Sequence, residues 1–131
     1  MTTTAAAAGT RRYIGTFPAD PAQVRQARAA FAALLRDCPR ADDAILIASE
    51  FATNSVLHSA SRHGGSFTLR GEIRQHDVRI EVADAGGPWR ASPRADARPH
   101  GFDVVTAITG PRNWGVDGDI SGRIAWAMLG W

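Results

Sequence analysis

The chain of 131 residues has the size of one domain, and its 44% hydrophobic and 21% charged residues are ordinary for a globular protein. Its formal net charge is only +2, and its basic residues, all arginines, form no run interleaved with aromatic residues, so a nucleic-acid partner is not expected. A single cysteine excludes an internal disulfide, and no stretch resembles a secretory signal or a membrane span, so we expect a cytoplasmic protein without a membrane partner.

The first half of the chain predicts one strand and two helices. Residues 1–10 are low-complexity Thr and Ala and are expected to form a disordered tail. The segment 11–17 contains aromatic residues and predicts a strand. Asp20 before a proline predicts the start of a helix, in which apolar residues recur at helical spacing to about residue 37. A second helix is predicted over about residues 41–59, with two aspartates in its first turn, where they suit the helix dipole.

The second half of the chain predicts two hairpins. Segments 66–74 and 77–84 alternate like strands around a tight polar turn, whereas 85–100 has no periodicity and predicts a long functional loop. A short helix over 101–109 and a last hairpin over 113–129 follow. This order predicts an α+β fold, a two-layer α/β sandwich with helices on one face of a mixed, mostly antiparallel sheet, and one domain over residues 11–131.

The second predicted helix carries polar residues among apolar ones. Glu50 and Asn54 are four residues apart, so they project from one face, and His58 follows one turn later. A buried carboxylate needs a partner, a metal or a pocket. The alternative is that Glu50 pairs with an arginine and Asn54 caps another group, and for this pair taken alone it is the favoured interpretation.

Two further features are ambiguous when each is taken alone. Asp84 ends a predicted strand before two glycines and a proline, so it would either accept a hydrogen bond from a ligand amine or serve a turn. Gly101 opens a helix after the long loop, so it would either offer backbone N–H groups to phosphate or form a plain junction.

Together, in this order and spacing, these segments resemble the GHKL ATPase superfamily, whose members share the Bergerat fold. Within it, the chain is similar to the stand-alone histidine-kinase-like ATPases of actinobacteria that are related to anti-sigma-factor serine kinases. The resemblance covers about residues 11–131. The matching segments are DDAILIASEFATNSVLHSAS for the N box, DAGGP for the D-x-G-x-P box, HGFDVVTAI for the second glycine box and NWGV with SGRIAWAML for the closing hairpin.

The resemblance implies that the chain binds ATP and Mg²⁺. It implies that Asn54 holds Mg²⁺, that Glu50 is the general base, and that Asp84 accepts a hydrogen bond from the adenine amino group. It also implies that segment 85–100 is the ATP lid. The other residues implied to bind the nucleotide are His58, Gly86, Pro88, Arg98, His100 and Gly101.

Three positions depart from the pattern of the family. Pro99 replaces the first glycine of the second glycine box and has no N–H to offer, so Arg94, Arg98 or His100 would have to compensate with side-chain charge. Leu57 stands where many relatives carry Arg or Lys. Ile124 is aligned with a threonine that, in many relatives, helps to bind adenine through water.

These features predict an ATP-binding regulatory protein, an anti-sigma-factor-type serine/threonine kinase that phosphorylates an anti-sigma-factor antagonist and sequesters a sigma factor. One alternative is a non-catalytic interaction module of the same fold with a degenerate nucleotide pocket. Another is a component of a larger signalling complex in which slow ATP hydrolysis acts as a switch. The resemblance also allows a homodimer.

Overall fold

The computed structural model describes residues 10–58, 64–86, 100–119 and 122–131, without the side chains of residues 58, 100, 101 and 119. The predicted tail therefore lies almost entirely outside the described residues. Among the described residues, no helix has the length and apolar character needed to cross a membrane. The elements in chain order are β1 (Arg11–Pro18), α1 (Pro21–Leu34), α2 (Ala41–His58), β2 (Ser66–Ile73), β3 (Asp77–Asp84), α3 (His100–Thr109), β4 (Trp114–Asp119) and β5 (Gly122–Gly130).

The five strands form one sheet in the order β1-β2-β3-β5-β4. Every pairing between these described strands is antiparallel. The three helices pack on one face: α1 against β1, α2 against β2 and β3, and α3 against β4 and β5. This arrangement confirms the α+β class and the two-layer sandwich, and it shows that the expected mixed sheet is antiparallel in its described pairings.

Alternation along the strands decides which side chains reach the helices. In β3 every second residue from Val78 to Val82 is buried, and in β5 the same is true from Arg123 to Leu129. Successive strand residues point to opposite faces of a sheet, so both sets face the helix layer. Asp84 continues the inward register of β3, and Arg123 opens the inward register of β5. Asp84 and Arg123 therefore occupy inward-facing positions, which on these strands otherwise hold hydrophobic core residues.

Helix α1 begins where the sequence predicts and ends three residues earlier than expected. The Asp20 Oδ1 atom accepts a hydrogen bond from the Ala22 N–H at 2.9 Å, which caps the first turn. At the other end, the Cys38 N–H donates to the Leu35 carbonyl at 2.8 Å, so the chain turns there instead of continuing as a helix. Cys38 precedes Pro39, and a proline disfavours the helical conformation of the residue before it.

The core contains a close approach between α1 and the sheet. The Phe31 side chain is fully buried and its ring lies 6.4 Å, between centroids, from that of Tyr13 on β1. Beneath the ring is Gly71 on β2, where an added Cβ would collide with the ring edge of Phe31. The absence of a side chain at this position lets the aromatic ring lie directly on the strand backbone.

Arg40 fixes the start of α2. Its guanidinium pairs with Asp43 at 2.8 Å and donates to the Gly130 and Ile108 carbonyls at 3.3 and 3.4 Å. Gly130 ends β5 and Ile108 lies in the last turn of α3, so one side chain connects the ends of three elements. Since the start of α2 is held there, the second half of this helix extends toward the opposite end of the sheet, where β3 ends at Asp84.

Candidate functional site

Asp84, the last residue of β3, receives three hydrogen bonds. Its Oδ2 atom accepts from Ser55 Oγ at 2.6 Å and from Arg123 Nη2 at 2.7 Å, and its Oδ1 atom accepts from the Gly86 N–H at 2.7 Å. Its side chain is only 2% exposed. The donors come from α2, from β5 and from the chain just after β3, so this carboxylate is the point at which three parts of the fold meet.

Ser55 connects the predicted N box to the predicted D-x-G-x-P box. It is buried, as is its neighbour Asn54, and both lie in the second half of α2. Because Ser55 donates to Asp84, the helix segment that contains Glu50 and Asn54 is held beside the end of β3. Segments that are about 30 residues apart in sequence are thus brought together as one site, as their order and spacing suggest.

Glu50 lies one helical turn before Asn54 and is half-buried. The ion pairs among the described residues do not include Glu50, so the alternative of a structural Glu50–arginine pair finds no support in that part of the chain. A half-buried carboxylate one turn from a buried carboxamide is suited to proton transfer at one end of a bound ligand.

Gly86 has a backbone conformation that favours glycine. Its φ is +70°, and its N–H closes a short turn onto Asp84 Oδ1. The carboxylate of Asp84 therefore closes a turn, as one of the two sequence-based interpretations expected. The same carboxylate is the predicted acceptor of the adenine amino group, so the two interpretations do not exclude each other.

Arg123 is the residue of this site that sequence reasoning missed, together with Ser55. Its side chain is 9% exposed, and in the pairing of β3 with β5 it lies directly opposite Asp84. Ile124 pairs with Ala83 and belongs to the alternate register, so it faces the other side of the sheet. The expectation for Ile124 is therefore wrong in one respect: the β5 residue beside the carboxylate is Arg123.

A signal for Arg123 is present in the sequence. In the segment GRIAWAML every second residue belongs to the inward set, which begins with an arginine followed by Ala125, Ala127 and Leu129. A charge at an inward position needs an opposite charge nearby. Ser55 had a weaker signal, because it is rotated by about 100° from Asn54 toward the apolar side of the helix.

The start of α3 lies against the same helix. The buried Phe102 ring lies 6.4 Å from Phe51 of α2 and 5.1 Å from Trp114 of β4, between centroids. The predicted helix over 101–109 is confirmed and begins at His100. These contacts hold the N-terminus of α3, with its exposed Asp103, near the middle of α2.

Several predicted site residues lie outside the described part of the structure. Pro88, Pro99 and Arg98 lie in segment 87–99, which contains most of the predicted lid. His58 and His100 lie at the end of α2 and the start of α3, and Gly101 follows, but the side-chain placement at these three positions is not described. Leu57, by contrast, is described and is 50% exposed. The roles assigned to these residues stay predictions.

Comparison with known families gives a match over most of the chain. The sequence model of the family described as "Histidine kinase-like ATPase domain" matches residues 17–122. The matched range contains Glu50, Asn54 and Asp84 and most of the sheet. A comparison with curated proteins gives no match.

Proposed function

The chain belongs to the histidine kinase-like ATPase domain family, which supports an ATP-binding regulatory function, and we propose that it acts as an anti-sigma-factor-type serine/threonine protein kinase. It would bind Mg-ATP, phosphorylate a hydroxyl group of an antagonist protein and sequester a sigma factor. The observation that carries this proposal is the 2.6 Å hydrogen bond from Ser55 to Asp84, which holds the Glu50–Asn54 segment beside the predicted adenine acceptor.

The arrangement suits a nucleotide that lies along the second half of α2. Asp84 would face the base at the end of β3, and Asn54, next to Ser55 in the chain, would face the phosphates. The N-terminus of α3 would add a positive dipole end on the same side, since Phe102 holds it against α2. These three groups come from β3, α2 and α3, so they come together only when the chain folds.

Magnesium fits the donor set of this site. Mg²⁺ in nucleotide sites keeps several waters and is held by one or two protein oxygens together with the phosphates, and the Asn54 carboxamide oxygen is a suitable hard donor. The bound ion would neutralise charge on the transferred phosphoryl group. Asn54 is buried in a helix, so the chain would present this oxygen in a fixed direction.

Glu50 would act as the general base. It would accept the proton of the attacking serine or threonine hydroxyl, from a position one helical turn from Asn54. Phosphoryl transfer depends mainly on positioning and electrostatic stabilisation, so a base held on a rigid helix suits the reaction.

We expect Asn54→Ala to lose most of the magnesium-dependent part of ATP affinity, about tenfold or more, because the variant lacks the metal ligand. Isothermal titration with ATP, with and without Mg²⁺, measures this difference. Asn113→Ala is the matched control, since the exposed Asn113 amide bonds to the Thr109 carbonyl, outside the proposed site. The wild-type chain giving no heat at millimolar ATP would contradict the proposed function.

We expect Glu50→Ala to abolish phosphoryl transfer while it leaves ATP affinity nearly unchanged, because a base acts on the hydroxyl and not on the bound nucleotide. Labelled ATP and candidate antagonist proteins provide the transfer assay, and titration provides the affinity. Glu72→Ala is the control, because Glu72 forms an ion pair with Arg12 on the face of the sheet opposite the helices. Equal turnover by wild type and Glu50→Ala would remove the base role.

A second candidate function is a non-catalytic interaction module of the same fold. The buried Arg123–Asp84 ion pair favours it, because the carboxylate that should receive adenine already has a strong partner. The interaction-module function would be supported if the wild-type chain neither binds ATP nor transfers phosphate yet still binds an antagonist or a sigma factor.

A further inference from the structure

Arg123 lies on the carboxylate that the proposed nucleotide would need. The Nη2–Oδ2 distance is 2.7 Å, and the two side chains are 9% and 2% exposed. The same oxygen accepts from Ser55 at 2.6 Å, and the other accepts from the Gly86 N–H at 2.7 Å. An ionised carboxylate offers about four acceptor positions, so three are filled by the protein itself.

An amino group of adenine is at a disadvantage in this competition. It is a neutral donor, whereas the guanidinium makes a charge-assisted hydrogen bond, which is shorter and stronger. The Arg123 backbone is held in place, because it pairs with Asp84 on one side and with Gly118 on the other. Release of the carboxylate therefore requires rotation of the Arg123 side chain, since both flanking strands fix its backbone.

We propose that Arg123 determines nucleotide affinity by occupying the base-selecting carboxylate, so that ATP binds only those molecules in which the Arg123–Asp84 pair is open. This inference rests on the proposed ATP binding. The apparent affinity of such a protein is its intrinsic affinity reduced by the open fraction. Removal of the guanidinium should then increase affinity, which is the opposite of what the loss of a ligand-binding or purely structural residue would do.

The experiment measures ATP affinity of the full chain by isothermal titration in the presence of Mg²⁺, for wild type, Arg123→Thr and Arg123→Gln, after circular dichroism has shown that each is folded. Threonine removes the charge and keeps a small hydroxyl donor. Glutamine is shorter than arginine and uncharged, but it keeps an amide donor, and it is the second variant if the threonine variant does not fold. We expect Arg123→Thr to bind ATP about tenfold more tightly than wild type, and Arg123→Gln to fall between them.

Arg79→Thr is the matched control. Arg79 is on the neighbouring strand β3 but on the opposite face, where it pairs with Glu81 at 2.6 Å and lies over the Trp126 ring at 5.1 Å. Its replacement should leave ATP affinity unchanged. A gain equal to that of Arg123→Thr would overturn the proposal, because it would be a general effect of removing an arginine from the sheet.

The remaining outcomes separate this inference from the proposed function. Folded Arg123 variants with wild-type or weaker affinity overturn the inference and leave ATP binding by wild type intact. ATP binding by Arg123→Thr but not by wild type supports the inference and contradicts ATP binding by the wild-type chain. If no variant binds ATP, both are overturned.

Discussion

Replacing Asp84 with alanine is expected to destabilise the fold by about 3–5 kcal/mol, because it leaves the buried Arg123 guanidinium without the carboxylate that balances its charge. The Ser55 hydroxyl and the Gly86 N–H lose their acceptor in the same step, which adds to the cost. Unfolding in urea, followed by circular dichroism, measures the change in free energy. ATP binding should also be lost, since the variant lacks the proposed acceptor of the adenine amino group.

The double variant Asp84→Ala, Arg123→Met separates charge from packing. Breaking a buried ion pair by removing one partner is costly, whereas replacing both partners by apolar side chains is often neutral. We therefore expect the second substitution to restore most of the stability lost in the first. Two losses that simply add would mean that the pair is not coupled, and the electrostatic explanation would then be wrong.

Replacing Phe31 with alanine is expected to cost about 3–5 kcal/mol, through lost burial and the cavity left behind. The ring is fully buried, packs against Tyr13 and lies over Gly71, so no side chain from the strand below can fill the space. The midpoint of denaturant unfolding, with an unchanged slope, measures the loss.

Phe17→Ala is the comparison for this variant. Phe17 is only half-buried near the end of β1, although its ring stacks on Phe67 at 5.6 Å between centroids, so its loss should be clearly smaller. If the two variants lost the same free energy of unfolding, the contact between Phe31 and the backbone of Gly71 would not contribute more to stability than the half-buried contact of Phe17.

The elements of this fold were predictable because their signals are local. The strand 77–84 was predicted with its observed bounds, since turn residues and glycines flank an alternating β-branched run. The end of α1 was less well predicted, because the helical spacing of apolar residues continues past the point where the chain turns before Pro39. The β2–β3 and β4–β5 pairings are the two predicted hairpins, whereas the β1–β2 and β3–β5 pairings join segments that are distant in sequence, which periodicity does not contain.

The site was predictable only in part, for the same reason. Glu50, Asn54 and Asp84 were proposed from spacing within a known family pattern, and the structure brings their segments together. The position of Arg123 depends on the register between β3 and β5. Strand β5 begins 38 residues after β3 ends. A shift of one residue in that register would place Ile124 opposite Asp84 and turn the arginine away from it. Sequence patterns within one segment do not determine such a register.

The β2–β3 hairpin gives a fixed distance across the molecule. Asp84 is at one end of β3 and the exposed turn residues Gln75 and His76 are at the other, with seven strand steps, or about 23 Å, between Asp77 and Asp84. A dye on Gln75→Cys, in a Cys38→Ala background, would be remote from the proposed nucleotide site yet within range of energy transfer from a fluorescent nucleotide. The hairpin thus fixes the distance between the dye and a bound nucleotide, so energy transfer would report nucleotide occupancy in real time.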